Sequence, residues 1–308
     1  MLPRVLCLMG PTASGKTALG LALAHRYDGE VINADARQLY RDAPIGTGVP
    51  IGAWQPTEAG EGYFVDGIRH HLLAVSGPDE TWTVSRWQRA ALDAIEDVLG
   101  RNRLPIIVGG TGLYIRALSE GYVFTGAPDP QQRETLLALH PEERRARLMR
   151  LDPEMAARTD LQNPHRVLRA LERALSGVAA PARVSPPYAF LKLVLDPDAD
   201  RLRSQIEARI AAQWSAGWPE EVRALLARGV PLSSPLMQSI GFRTLAEALT
   251  SGTFDEGRAK ASLLRETWLY ARRQRTWFRR EPQAHPVRTE AEAIALIDPW
   301  LAKGSPFA

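Results

Sequence analysis

The residues best placed to do chemistry lie near the start of the chain. Gly10-Pro11-Thr12-Ala13-Ser14-Gly15-Lys16-Thr17 matches the phosphate-loop pattern G-x-x-x-x-G-K-[ST] in full. Its glycines let backbone N–H groups face inward as an anion nest, and a helix that follows adds its positive end. Lys16 supplies a point charge, and the Thr17 hydroxyl can ligate Mg²⁺. The loop specifies a polyphosphate without saying which one. A second group, Asn33-Ala34-Asp35-Ala36-Arg37-Gln38, follows an apolar run. Asp35 is therefore expected near the phosphate loop, as a base toward an acceptor hydroxyl in a kinase or toward an amine in an alkyl transferase. A turn or helix-capping role is the alternative for Asp35.

These residues need a frame that brings them together. Strands are expected over 4–9, 30–34, 104–108 and 191–195, and helices over 18–27, 85–100, 112–118, 198–215, 219–228, 243–250 and 257–279. The alternation predicts an α/β fold, a P-loop NTPase-like parallel sheet flanked by helices, with ligands at the carboxyl ends of the strands. Residues 42–80 are rich in Gly and Pro and read as an irregular lid or binding region. Pro128-Asp129-Pro130 marks a change to an arginine-rich helical stretch that Pro181, Pro186 and Pro187 close. The chain thus reads as a catalytic core over 1–121 and 189–308, with an all-helical insertion over 122–188.

Composition sets the outer bounds. The 308 residues are 45% hydrophobic and 24% charged, which excludes disordered and fibrous classes. One cysteine, Cys7, excludes a disulfide framework and a multi-cysteine zinc site, and its apolar neighbours make it a core residue. No run of apolar residues is long enough to span a membrane, and Gly10-Pro11 cuts the first one short of a secretory signal. A cytoplasmic, monomeric enzyme is expected. Net charge is only +3, but the four lysines stand against 34 arginines. Between Arg258 and Arg280 eight basic residues meet one acid, Glu266, and four aromatics: Trp268, Tyr270, Trp277 and Phe278. Arginine with aromatics suits phosphate contact and base stacking, so this helix is a candidate nucleic-acid surface carrying Arg272 and Arg273.

An ordered set of motifs resembles the tRNA dimethylallyltransferase (isopentenyltransferase) family. It comprises the phosphate loop, Asp35-Ala36-Arg37-Gln38-Leu39-Tyr40, Ile45-Gly46-Thr47, His70-His71-Leu72 and Val108-Gly109-Gly110-Thr111-Gly112-Leu113-Tyr114. Arg166-Val167-Leu168-Arg169-Ala170-Leu171-Glu172, Ile240-Gly241-Phe242-Arg243 and Tyr270-Ala271-Arg272-Arg273-Gln274-Arg275-Thr276-Trp277-Phe278 complete it. The resemblance implies transfer of a dimethylallyl group from its diphosphate to N6 of the adenosine 3′-adjacent to the anticodon, in tRNAs reading codons that begin with U. It implies Asp35 as the base, with Lys16, Thr17 and Mg²⁺ on the diphosphate, and Arg209 as a further diphosphate contact. It also implies that the anticodon stem-loop is met by Asp35, Ala36, Arg37 and Gln38, by Thr111 and Arg133, by Gln162, Asn163, Pro164, His165 and Arg166, and by Ser239, Ile240, Gly241, Phe242, Arg243 and Thr244. Gln38 suits a bidentate contact with an adenine edge, and the base must be flipped out of its stack to react.

Other readings compete with this one. A small-molecule kinase using ATP would share the phosphate loop and Asp35. Against a nucleotide hydrolase, the apolar run 104–108 ends in Gly-Gly-Thr-Gly rather than in an acid for magnesium. A non-catalytic RNA-binding module, or an enzyme prenylating free adenine nucleotides, leaves either the loop or the insertion without a purpose. Trp268 stands where the family pattern commonly has arginine. His70-His71 reads as a packing or hydrogen-bonding pair rather than a metal site, because neighbouring strand residues point apart. Trp82 and Trp87 read as core or rim residues.

Overall fold

A computed structural model describes residues 2–58, 60–124, 129–177 and 182–302. The first elements are β1 (Arg4–Met9), α1 (Lys16–Arg26), β2 (Gly29–Asn33), α2 (Pro44–Thr47), β3 (Ala53–Thr57), β4 (Gly60–Val65), β5 (Ile68–His71), α3 (Val84–Gly100), β6 (Leu104–Gly109) and α4 (Gly112–Ser119). Then come β7 (Tyr122–Val123), α5 (Pro130–Ala138), α6 (Pro141–Leu151), α7 (Pro153–Arg158), α8 (Pro164–Ser176) and β8 (Ala182–Arg183). The last are β9 (Ala189–Leu195), α9 (Ala199–Ser215), α10 (Trp218–Ala227), α11 (Phe242–Thr250), α12 (Glu256–Phe278), β10 (Ala284–Val287) and α13 (Glu290–Ala302). The chain divides into two compact units, Met1–Ser119 with Pro186–Ala308, and Glu120–Ser185.

The first unit is built on an eight-stranded sheet of order β10-β9-β1-β6-β2-β5-β4-β3. Neighbours from β10 to β5 run parallel, while β4 and β3 pair antiparallel at one edge. The sheet is therefore mixed and mostly parallel. β1 sits well inside it, and its run Val5-Leu6-Cys7-Leu8-Met9 is wholly buried, as a strand covered on both faces must be. Alternation sends Leu6 and Leu8 into a core with Leu23 of α1 and Ile297 of α13. Cys7 and Met9 face a second core with Trp87 and Ile95 of α3 and Ile115 of α4. Burial pushes the Cys7 thiol up to about 12, so it behaves as a small hydrophobe. Each such Leu or Ile contributes roughly 1.5–3 kcal/mol by leaving water.

The second unit is helical, and its helices announce themselves. Asp129, His140, Asp152 and Asn163 each cap one helix, accepting backbone N–H bonds of its first turn. Prolines follow at the first turns of α6, α7 and α8, where a missing N–H costs nothing. The helices close over Leu136, Leu148, Leu168 and Leu171. Within this unit β7 and β8 form a two-residue antiparallel pair, although the stretch was expected to be free of strands. Of the boundary prolines named from sequence, Pro128 and Pro181 lie outside the described residues, as does Lys303.

Several expectations need correction. Residues 42–80 are not irregular: they carry α2 and the hairpin that extends the sheet. Pro56 lies in the edge strand β3, where a proline removes no interior ladder bond. β10 and α13 were not anticipated at all. The apolar spacing of Ala293, Ile294, Ile297 and Leu301 carried a helical signal that could have revealed α13.

Candidate active site

Sheet order decides what meets. β6 lies between β1 and β2, with Met9 opposite Gly109 and Asn33 opposite Val108. The phosphate loop, the turn after β6 and the turn after β2 therefore emerge side by side at the carboxyl edge. Gly15 caps α1 at a φ of 90°, a left-handed geometry that suits glycine and turns the loop into the helix. After β6, a methyl group at Gly109 would overlap the backbone of Ala34, so glycine lets the two turns touch.

Hydrogen bonds then fix the Asp35 turn from several sides. Ala34 N–H donates to Val108 O at 2.8 Å and Thr111 N–H to Ala34 O at 3.0 Å. The Thr111 hydroxyl accepts from Ala36 N–H at 3.0 Å. Asn33 Oδ1 accepts from Asp35 N–H at 2.9 Å, while the Asn33 amide donates to Asp35 O at 3.1 Å and Leu72 O at 2.8 Å. Asp35 Oδ1 accepts from Arg37 N–H at 3.1 Å. Its carboxylate is thus pre-oriented, 9% exposed, and on the wall of a cavity of about 540 Å³.

That cavity gathers most of the core residues expected in the site. Thr12, Ala13, Ser14, Gly15, Lys16 and Thr17 line it with Asp35, Arg37, Gln38, Arg209, Ser239 and Ile240. Lys16 and Arg209, with Arg37 as a third cation, share the space with one buried carboxylate. Burial pulls the Lys16 ammonium below its ordinary value, Asp35 opposes this, and Arg209 adds to it. Burial likewise pulls Arg209 down, again opposed by Asp35. Neither cation makes an ion pair among the described residues. Lys16 Nζ donates only to Pro11 O at 3.3 Å. Desolvated cations without an anion are costly, and a polyanion entering here would relieve both.

The opposite wall comes from the stretch carrying Ile45-Gly46-Thr47, named from sequence as a motif without a stated role. The short helix α2 presents Gly46 and Thr47 to the cavity. Glu221 accepts from Ile45 N–H and Gly46 N–H at 2.8 Å each, and the Gln213 amide donates to Ile45 O at 2.7 Å. Burial pushes Glu221 up, and those two N–H donors pull it back. Gln38 donates to Gly48 O at 2.6 Å, so one arm of its amide is engaged in the fold itself. Tyr270 also lines the cavity, and burial followed by the nearby Asp35 charge raises its phenol. Gln274 is the least conspicuous omission. It is a buried amide that accepts from Thr12 N–H at 2.8 Å and donates to Gly110 O at 2.9 Å.

Several residues do not sit as expected. Phe242 is fully buried in a helical core, so its ring offers RNA nothing. Arg243 pairs with Glu247 at 2.8 Å, Thr244 donates to Glu266, and Gly241 caps α11. Three of the four aromatics of α12 are engaged in packing within the protein, and the fourth, Tyr270, lines the cavity. Phe278 is buried, Trp277 lies under the Arg116 guanidinium, and Trp268 packs on the core of α9–α12. Arg272 and Arg273 are exposed and unpaired with any acid among the described residues. Trp87 is fully buried against Tyr114, and Trp82 stacks under Arg86. His71 bonds Glu30 at 2.7 Å, and His70 Nδ1 lies 3.0 Å from Ile68 O.

In the helical unit Arg133 reaches Glu172 at 2.6 Å, and Arg169 reaches the same carboxylate at 2.6 Å. Asn163 accepts from His165 N–H and Arg166 N–H at the start of α8, while Arg166 pairs with Asp160 at 3.4 Å. Gln162 N–H donates to Asp160 at 3.2 Å, and Pro164 opens the helix. A groove in this unit is lined by Arg158, Asn163, His165, Arg166, Arg169 and Arg173. Among the described residues no group of three or more His, Cys, Asp or Glu side chains could hold a metal, and no helix is long and apolar enough to cross a membrane.

Comparison with known proteins adds a second line of observation. The model of a family described as IPP transferase matches residues 38–281. A tRNA dimethylallyltransferase of Acidothermus cellulolyticus is 39% identical over 318 aligned positions, covering 99% of this chain and 96% of that protein. The crystal structure of the full-length tRNA isopentenylpyrophosphate transferase of Bacillus halodurans superposes with a TM-score of 0.69 at 29% identity, over 97% of this chain and 96% of that one. A eukaryotic dimethylallyltransferase acting on tRNA gives a TM-score of 0.79 at 23% identity, covering 98% and 80%, a likeness of fold.

Proposed function

The chain belongs to the IPP transferase family, and from that membership we propose how its cavity works. It is a tRNA dimethylallyltransferase, and a small-molecule kinase reading is set aside. In the proposed reaction, N6 of the adenosine 3′-adjacent to the anticodon attacks C1 of dimethylallyl diphosphate. The new N–C bond forms as the C1–O bond breaks, the N6 proton passes to Asp35, and diphosphate leaves. The observation that carries this reading is the shared cavity, in which the phosphate loop, the buried Lys16, the half-buried Arg209 and one pre-oriented carboxylate face the same space, with no ion pair among them in the described residues.

Each group has a distinct task. An aromatic amine is a weak nucleophile, and a carboxylate that takes its proton as the bond forms is worth about 10²–10⁴ in rate. Charge gathers on the departing diphosphate, where Lys16, Arg209 and the phosphate loop, all lining the cavity, are proposed to stabilise it. Thr17 offers a hard oxygen of the kind Mg²⁺ takes, and the ion's remaining ligands would be diphosphate oxygens and water. When bound, Mg²⁺ would neutralise part of the leaving charge. Gln38, Arg37, Ser239 and Ile240 line the same cavity and are proposed contacts for the extruded nucleotide. Arg272 and Arg273, together with Arg133 and Gln162 to Arg166 of the helical unit, are proposed contacts for the anticodon stem-loop. The protein is proposed to act as a cytoplasmic monomer.

The test supplies labelled dimethylallyl diphosphate, labelled ATP, AMP and unmodified tRNA. Label passing from the prenyl donor to tRNA is expected. Transfer of phosphate from ATP, or prenylation of AMP with tRNA inert, would replace this reading.

A further inference from the structure

We propose that Gln274 is a positioning residue that holds the phosphate loop in register with the turn bearing Asp35. The inference rests on the reaction proposed above. Gln274 is 5% exposed on α12, and its amide is used at both ends. Oε1 accepts from Thr12 N–H at 2.8 Å, and Nε2 donates to Gly110 O at 2.9 Å. Thr12 belongs to the loop that meets the leaving diphosphate, and Gly110 follows β6 in the turn against which Asp35 is built. A methyl group at Gly110 would strike the Gln274 amide and lie 3.1 Å from Asp35 Oδ2, so carboxylate and amide flank one glycine.

The chemistry needs such a link. The base must meet N6 while the leaving group is held on the far side of C1, and an error of about 1 Å between reacting groups costs on the order of 10² in rate. β1 and β6 fix the roots of both loops, but their tips extend beyond the last ladder pair, Met9 with Gly109. Gln274 spans those tips from a third element. It also sequesters the Thr12 N–H, while Ser14 N–H donates to Pro11 O at 3.2 Å. The residues beside it on α12, Arg272 and Arg273, are exposed, so one helix carries both the proposed RNA contact and this internal link.

Gln274→Glu gives a test with a signature that mere structural damage lacks. An ionised glutamate still accepts from Thr12 N–H but turns a second acceptor toward Gly110 O. A protonated one regains the donor and reproduces both bonds, and burial favours the protonated form. Lys16, Asp35, Arg37, Arg209 and Tyr270 line the same cavity, so the reading is the ratio of variant to wild-type activity, in which their shared contribution cancels. The ratio is expected to be about tenfold or more below unity near pH 9 and to climb toward unity by about pH 5.5, with kcat affected and tRNA affinity unchanged. Gln274→Met, which fills the space with no polar partner, is expected to lose about tenfold or more at every pH. A ratio for Gln274→Glu that is flat with pH, or near-wild-type kcat in Gln274→Met, overturns the proposal. Affinity for inorganic diphosphate, measured by calorimetry on the same variants, should follow the same pH trend and needs no tRNA. Failure of wild-type prenylation with that trend intact would sink the reaction and leave the positioning role standing; a flat diphosphate trend would sink the role alone.

Discussion

Buried carboxylates facing two cations recur in this molecule, and the helical unit and the cavity resolve the arrangement differently. In the helical unit Arg133 and Arg169 both reach Glu172 at 2.6 Å, and their own side chains stay 41% and 52% exposed. Charge there is satisfied by the fold, and water shares the load. In the catalytic unit Lys16 and Arg209 lie in a cavity with Asp35, yet none of the three forms an ion pair among the described residues. The proton affinities of Lys16 and Arg209 are pulled down by burial instead. The first arrangement is a stabilising contact; the second leaves desolvated cations that the proposed diphosphate would satisfy, at some expense to folding.

Variants can break this contrast, the largest effect first. Lys16→Ala is expected to lower turnover by about 10²–10³-fold, the range for losing a charge-stabilising donor. The same change should leave the melting temperature equal or higher, because it removes a desolvated cation. A marked fall in melting temperature would show that Lys16 is satisfied after all. Asp35→Ala should retain tRNA binding and lose at least about 10²-fold in turnover, measured in single-turnover prenylation. Near-normal turnover would take the base role from it.

Glu172→Ala should show the reverse signature. It strands two arginines in the helical unit and is expected to lower stability by about 2 kcal/mol, discounted for the solvent around both guanidinium groups. Denaturant melts would check this, and an unchanged midpoint would reduce the pair to surface decoration. A pH series sharpens the cavity side. The Lys16 pKa lies below its usual value in the free site, and a bound anion must raise it, so binding takes up a proton once pH exceeds the free value. Diphosphate affinity should therefore weaken toward high pH in the wild type relative to Lys16→Arg, whose guanidinium does not titrate there; parallel curves would refute it. Smallest is the effect of Arg272→Ala with Arg273→Ala, which should flatten the logarithmic salt dependence of tRNA binding by about 1–2 units. An unchanged slope would remove both from the phosphate contacts.

Local chemistry was legible wherever a short segment carries its own instructions. The phosphate loop needs glycine at fixed offsets, and Gly15 indeed turns left-handed into α1. The caps Asp152 and Asn163, each followed by proline, mark helix starts within a few residues. Uninterrupted apolar runs such as Val5 to Met9 could only be interior strands. The hairpin from β3 to β4 was opaque because Pro56 and the glycines around it are loop residues by composition, and only an edge position makes them tolerable. The placing of three aromatics of α12 was illegible for a related reason. Composition cannot tell which side of a helix faces a core, and Phe278, Trp277 and Trp268 turned inward.

The order of residues alone determined that a polyanion site follows β1 and that an acid follows β2, because backbone conformation and short-range capping act over a few neighbours. Tertiary structure alone decided that β6 would lie between those strands and that Glu221, Gln213 and Gln274 would reach in from distant helices. Those contacts join residues from about 160 to 260 positions apart, and nothing local to a glutamine records which backbone group it will meet. Burial then set Lys16 and Arg209 apart from the exposed arginines of the surface, since desolvation belongs to a place in the fold and not to a residue type.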